Sequence, residues 1–168
     1  MMKRAATKGF TLVEILIVVI ILGILAAIVI PQFTEASAEA RVSNLMTNLQ
    51  TIRSQLLLYK TQHLENYPAD GAGEADAEFE DEMCNYSDED GATNGTPDAN
   101  HPYGPYLTSV PVNPFSNDNT VRVIQNGATA FAAPQADGGW YFNSVTGEFR
   151  ADLEDVHTTM DGTKMNEL

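Results

Sequence analysis

The amino-acid sequence predicts an α+β protein. One long N-terminal helix, half apolar enough for a membrane and half amphipathic, packs on a small antiparallel sheet of three to four strands. Three observations predict it. From Phe10 to Ile30 there are 21 residues, and only Thr11 and Glu14 are polar. Downstream, Val42, Leu45, Leu49, Ile52, Leu56, Tyr59 and His63 recur at alternating spacings of three and four, the stripe of one helix face. Beyond residue 120, short runs of strand-forming residues flank the turn signals Asn126-Gly127 and Ser144-Val145-Thr146-Gly147.

The apolar run comes first. As a helix, 21 residues reach about 31 Å, the thickness of a bilayer's hydrocarbon core. Residues 1–9 ahead of it contain Lys3, Arg4 and Lys8 and no acid, so this leader is expected on the cytoplasmic side and the rest outside. A secretory signal peptide has a shorter apolar region and a small-residue cleavage site, whereas Pro31-Gln32-Phe33 follows here. A plain signal anchor explains length and charge but leaves Glu14 unexplained. An acid at the centre of a membrane helix costs roughly 2.5–3.5 kcal/mol, less near its end, and marks a function by default. Glu14 needs a cationic partner, and all three leader bases precede the span.

Lys8-Gly9-Phe10-Thr11-Leu12-Val13-Glu14 followed by an aliphatic run resembles the leader of type IV pilins and type II secretion pseudopilins, above all the major pseudopilin. The resemblance implies cleavage by a prepilin peptidase between Gly9 and Phe10 on the cytoplasmic face, with N-methylation of the new Phe10 amine and retention of the apolar segment. It also implies a pilin-like fold and supplies Glu14 with a partner, the Phe10 amine of a neighbouring subunit. Two opposite charges in a low-dielectric layer attract strongly, while either alone is costly. The implied partners are further copies in a homo-oligomeric filament, other pseudopilins or minor pilins, and an inner-membrane assembly platform.

Past Pro31 the helix turns amphipathic, with Arg41, Asn48, Arg53, Gln55 and Lys60 off the apolar stripe. It is expected to end near Asn66, because Tyr67 precedes Pro68. Pro31 predicts a kink at the membrane exit, and Gly23 and Pro31 are the residues that weaken this helix most. The resemblance implies that residues 23–31 unwind in a filament, which makes Glu14, Gly23 and Pro31 the assembly residues. His63 reads as a half-buried packing residue, since no second His or Cys stands at ligand spacing.

Between Lys60 and Arg122 there is no Lys or Arg, and residues 65–98 hold twelve acids. The favoured reading is a solvated acidic loop. Its alternative is a calcium site drawing on Asp88, Asp90, Asp118 and Asp137, with calcium as the one candidate cofactor. Asp88-x-Asp90-Gly91 is not an EF-hand, because Tyr86 takes the first ligand position and Pro97 the place of the bidentate Glu. Major pseudopilins carry calcium beside their C-terminal strands, but their Asp-rich C-terminal motif is not clearly present; Asp152, Glu154 and Asp155 are the other acids there.

Gly104–Asn117 holds three prolines in ten residues and is expected to run extended and turn-rich, pinned by Tyr106 and Phe115. It is similar to the proline-rich segment of major pseudopilins. Two hairpins follow, Val121–Gln125 with Ala128–Ala132 and Trp140–Asn143 with Glu148–Ala151. The expected divisions are thus a leader (1–9), a transmembrane or filament-core helix (10–30), an amphipathic helix (31–66), an acidic and proline-rich loop (67–120), an antiparallel meander (121–151) and a frayed acidic tail (152–168).

Composition excludes several function classes. Nine bases against 23 acids give −14, which argues against nucleic-acid binding. Removing Lys3, Arg4 and Lys8 with the leader leaves six bases against 23 acids, or −17 before the new amine. The lone Cys84 precludes an intrachain disulfide, and His63, His101 and His157 are too scattered for a catalytic set. The expected function is a structural subunit of a type II secretion pseudopilus, taking part in protein export as a single-pass membrane protein and then a periplasmic filament. The alternatives are a type IV pilus subunit in adhesion or motility, and a solitary membrane-anchored binding module.

Overall fold

Helix α1 spans Leu12–Gln62, so the apolar run and the amphipathic stripe share one helix. It passes through Gly23 and Pro31 without a break; residues 23–31 are helical in the single chain. Pro31 supplies no N–H to the ladder. Just beyond it, Thr34 Oγ1 donates to the Ile30 carbonyl at 3.2 Å. The helix stops because Leu64 and Glu65 adopt left-handed φ angles of 53° and 68°, ahead of the expected end at Asn66.

This computed structural model describes residues 9–70, 75–125, 138–154, 157–159 and 162–168. The chain divides into two units, residues 1–40 and 41–168. Every described residue of the first is exposed. The second has a core. Leu45, Leu49, Ile52, Leu56 and Tyr59 of α1 are each at most 2% exposed, and Val42 packs partly buried beside them.

The sheet has the order β3-β4-β5, from Val121–Ile124, Trp140–Asn143 and Glu148–Ala151, after a two-residue pair β1 (Tyr86–Ser87) and β2 (Thr93–Asn94). β4 is central and wholly buried, as a strand covered on both faces should be. Its antiparallel pairing with β5 sets Phe142 opposite Phe149 across the expected Ser144–Gly147 turn. Arg53 of α1 donates to the Phe149 carbonyl at 3.1 and 2.8 Å.

Four features differ from expectation. β3 pairs with β4 in parallel, Val121 opposite Trp140 and Val123 opposite Phe142, so the sheet is mixed rather than an antiparallel meander. Residues 125–139 separate the two strands, a connection long enough for the crossover that parallel strands require. Gly139 permits the close entry into β4, since a Cβ there would lie 2.7 Å from the Thr120 carbonyl. The expected Asn126-Gly127 turn and the strand Ala128–Ala132 lie outside the described residues.

Second, the acidic segment is not all loop. Helix α2, Ala75–Cys84, occupies its densest run, and buries Phe79 and Met83 in the core, four residues apart on one face. Third, the tail is docked: Leu153, Met165 and Asn166 are buried, and Asn166 Nδ2 donates to the Leu153 carbonyl at 3.0 Å. Asp152 is fully buried and held bidentately by Arg122, both contacts at 2.8 Å. Fourth, His63 is buried rather than half-buried. It stacks on Tyr59 at 3.7 Å between centroids, and its Nε2 lies 2.9 Å from Ser87 Oγ.

Candidate functional site

The first candidate is the start of α1. Thr11 stands just before the helix, and its Oγ1 accepts from the Glu14 amide at 3.3 Å, while the Thr11 amide donates to Glu14 Oε2 at 3.5 Å. This is the reciprocal arrangement of a capping box, stretched at both contacts. The Glu14 carboxylate therefore answers one backbone donor of its own chain, the Thr11 amide, with its side chain open to the surroundings. The Thr-x-x-Glu spacing in the sequence was the available signal, and composition alone had directed attention only to a cationic partner. Gly9 and Phe10 precede the helix and are exposed, Phe10 at 73%. Phe10 to Ile30 presents its aliphatic side chains on every side, and α1 is long and apolar enough to cross a membrane.

The second candidate is the acidic face of the unit formed by residues 41–168. Glu82, on α2, is 7% exposed. Its Oε2 accepts from the Tyr59 hydroxyl and, at 3.4 Å, from the Ala69 amide, which joins α2 to α1 and to the turn after it. Burial pushes the Glu82 carboxyl up to about 7, against the lowering by the two donors and with added repulsion from Glu78 and Asp70. Burial likewise raises the Tyr59 hydroxyl, followed by the effect of Glu82 itself. Sequence reasoning missed Glu82, because nothing distinguishes it from the acids around it until Phe79 and Met83 fix the buried face of α2. A cleft of about 350 Å³ lies beside it, lined by Glu78, Asp81, Glu82 and Thr93 among others.

The carboxylates named for calcium have local partners. Asp88 Oδ1 accepts from the amides of Asp90 and Ala92 at 3.1 and 2.9 Å, closing the turn between β1 and β2. Asp118 accepts from the Thr120 hydroxyl at 2.6 Å and the Thr120 amide at 3.1 Å, and these bonds hold its carboxyl below the usual range. Asp137 lies outside the described residues. Among the described residues, no group of three or more His, Cys, Asp or Glu side chains is placed to hold a metal ion. His101 closes a separate turn, where its ring and two backbone amides hold the exposed Asp98 carboxyl down at about 2.

The proline-rich segment has a structural role. Tyr106, Leu107 and Val110 are buried, Trp140 Nε1 donates to the Pro111 carbonyl at 2.7 Å, and Asn113 Nδ2 to the Gly139 carbonyl at 2.7 Å. Thus Gly104–Asn117 straps the edge where β4 begins. Cys84 is a free thiol.

Comparison with known proteins adds identity to this geometry. A family model described as the prokaryotic N-terminal methylation motif matches residues 4–30. The type II secretion system core protein G of Pseudomonas aeruginosa is 40% identical over 72 residues, 43% of this chain and 50% of that protein. Its counterpart in Klebsiella michiganensis is 33% identical over 72 residues, again 43% and 50%. The type IV major pilin protein PilA of Myxococcus xanthus is 51% identical over 45 residues, 27% of this chain and 20% of that protein. The chain thus spans about half the length of the secretion relatives it matches. No solved structure matches it. The chain carries the prokaryotic N-terminal methylation motif, and its relatives are type II secretion core protein G and the type IV pilins.

Proposed function

We propose that this chain is a structural subunit of a type II secretion pseudopilus, a filament that takes part in protein export. The observation that carries the reading is the likeness to core protein G. It extends over 72 residues, well past the 27 of the methylation motif, whereas the pilin likenesses span 45–53 residues. The proline-rich strap supports the same choice, and a type IV pilus subunit is the second reading.

In this reading a prepilin peptidase cuts between Gly9 and Phe10, and the Phe10 amine is methylated. The segment then stays in the cytoplasmic membrane with residues 41–168 on the outer side, until the subunit enters a periplasmic filament on an inner-membrane platform with other pseudopilins. Glu14 exchanges its stretched contact to the Thr11 amide for the Phe10 amine of a neighbour, a full charge in a low-dielectric layer. Gly23 and Pro31 let α1 loosen as the copies pack. The protein acts through assembly and not through catalysis or nucleic-acid binding.

Intact-mass measurement of membrane-extracted protein tests the processing: a chain beginning at methylated Phe10 is expected, and one beginning at Met1 in peptidase-competent cells overturns it. Glu14→Leu tests the assembly. It should be inserted and cleaved normally, yet leave filaments scarce, since an unpaired buried charge costs about 3–5 kcal/mol. Normal filament yield from this variant would leave the solitary anchored module standing.

A further inference from the structure

Two carboxylates are buried among the described residues, Asp152 and Glu82, and their surroundings differ. Asp152 is met by the Arg122 guanidinium through paired contacts of 2.8 Å. Glu82 is met by neutral donors, the Tyr59 hydroxyl of α1 and the Ala69 amide, both on its Oε2. The turn between β1 and β2 closes over this pair. Gly91, at a φ of +90°, comes so near that a Cβ would lie 3.2 Å from the Tyr59 hydroxyl oxygen and 3.6 Å from the Glu82 carboxyl carbon. A buried carboxylate without a counter-charge is costly, and keeping its proton removes that cost.

The groups that face Glu82 offer it no counter-charge. α2 itself contributes Glu78 and Asp81, which line the same cleft, and the buried Oε2 of Glu78 has no hydrogen-bond partner among the described residues. The turn after α1 contributes Asp70. α1 contributes Tyr59, with the Tyr106 ring of the proline-rich strap edge-on to it at 5.3 Å. His63, stacked on Tyr59, has its ring nitrogens against the Tyr59 carbonyl and the Ser87 hydroxyl. Lys60 follows Tyr59 in sequence but is turned to the Tyr67 ring, at 4.6 Å, and to Glu65. Asp88, in the β1–β2 turn, is occupied by the amides of Asp90 and Ala92.

The two ends of α2 are held differently. At its C-terminal end the Met83 carbonyl accepts from the amides of Tyr106 and Leu107 at 3.0 and 2.8 Å, a fastening that does not involve Glu82. Upstream, Phe79 supplies the apolar hold on Phe142 and Phe149, and Glu82 the polar hold on α1 and its turn. That polar hold also keeps Ala69 in place at a left-handed φ of 58°, while the Ala69 carbonyl accepts from Gln125 Nε2 at 3.0 Å. An ionised Glu82 would face Asp70 and Glu78 in a poorly hydrated space, and lifting α2 returns it to water.

We propose that Glu82 is a proton-operated latch on α2. With its proton it fastens the helix to Tyr59 and Ala69; ionised, it lets residues 75–82 swing about Met83 and uncover Phe142 and Phe149. The cleft of about 350 Å³ beside Glu82 is the way by which the proton comes and goes. Burial raises the carboxyl from 4.5 to about 7, so the closed form holds a proton that the open form releases. Closure is therefore complete at pH 4–5 and weakens as pH rises through 7. The latch works within one chain and stands apart from the filament reading.

Hydrogen exchange, read by mass spectrometry on the full-length chain in detergent, tests it. Corrected for the intrinsic effect of pH, protection of the amides of residues 79–82 should fall roughly fiftyfold from pH 5 to pH 8, the ratio set by a carboxyl that moves between 4.5 and about 7. At pH 8 these amides should exchange at least about tenfold faster than those of residues 49–56, whose release needs the whole unit to unfold. Glu82→Gln, neutral at both pH values, should reduce the fall to less than about threefold, and Glu80→Gln, at an exposed position of the same helix, should leave it in place. A full fall in Glu82→Gln overturns the latch, as does equal exchange of residues 79–82 and 49–56 at pH 8. If Glu82→Gln does not fold, the wild-type contrast between those two segments decides alone.

Discussion

Residues 12–30 and residues 45–59 of α1 carry the same kinds of side chain with opposite outcomes. Leu16 is 53% exposed and Ile20 53%, while Leu49 is 2% exposed and Ile52 0%. The second group is buried by the chain's own sheet and by α2. The first group is buried by nothing among the described residues. At about 25 cal/mol per Å² such a surface strongly favours leaving water, and the proposed function gives it lipid and other copies as partners. The comparison separates what stabilises residues 41–168 from the surface that the proposed function assigns to assembly, and each half should respond to its own mutations.

The largest expected effect is on the self-buried half. Phe79→Ala empties a fully buried position that α2 places against Phe142 and Phe149, at 4.9 and 6.0 Å between ring centroids. It should destabilise residues 41–168 by about 3–5 kcal/mol in urea unfolding. Ile20→Ala, measured on the full chain in detergent, should shift the unfolding of the same unit by less than about 0.5 kcal/mol. If the two variants unfold alike, the division between the halves is wrong.

Next comes proton uptake at Glu82. Its carboxyl is raised from 4.5 to about 7 in the folded state, so between those values the folded chain binds more protons than the unfolded chain. Stability should therefore be full at pH 4–5 and fall as pH rises through 7, by at most about 3 kcal/mol. Glu82→Gln should flatten that slope, and an unchanged slope would assign it to other acids. A smaller effect is expected at Gly147, where φ is +76° and a Cβ would meet the Tyr67 ring at 2.1 Å. Gly147→Ala should cost about 1–3 kcal/mol, read as a lower melting temperature.

The smallest effect concerns ions. Millimolar calcium and magnesium should raise the melting temperature of residues 41–168 equally, by screening acidic repulsion. A clear excess for calcium would restore an oxygen-rich site that includes Asp137.

Much of this was legible. The apolar run, the stripe from Leu45 to Tyr59 and the β4–β5 turn each follow from a local period or a turn signal. Other features were hidden for identifiable reasons. A strand's alternation is the same in parallel and antiparallel ladders, so β3 offered no clue to its direction, and Asn126-Gly127 pointed to a local partner. Phe79 and Met83 were the main apolar signal of α2, submerged among acids such as Glu80 and Asp81 that lie on its exposed side. The docking of residues 162–168 depends on partners distant in sequence, such as Leu153. At the candidate site, the leader and Glu14 stood out because a charge in an apolar run is anomalous. Glu82 did not, because an acid among acids is ordinary until burial singles it out.

The base-free segment containing α2 has a consequence for degradation. From Thr61 to Arg122 there are 62 residues with Arg122 as their single basic residue. Endoproteases that cut after lysine or arginine therefore find no site inside this stretch, even if α2 lifts from the sheet. Its two boundaries are sheltered as well, Lys60 within α1 and Arg122 within β3. The most acidic part of the unit formed by residues 41–168 is thus also the part that such enzymes cannot nick. A tryptic peptide map would return it as one large acidic fragment, and an enzyme that cuts at acidic residues would be needed to follow α2.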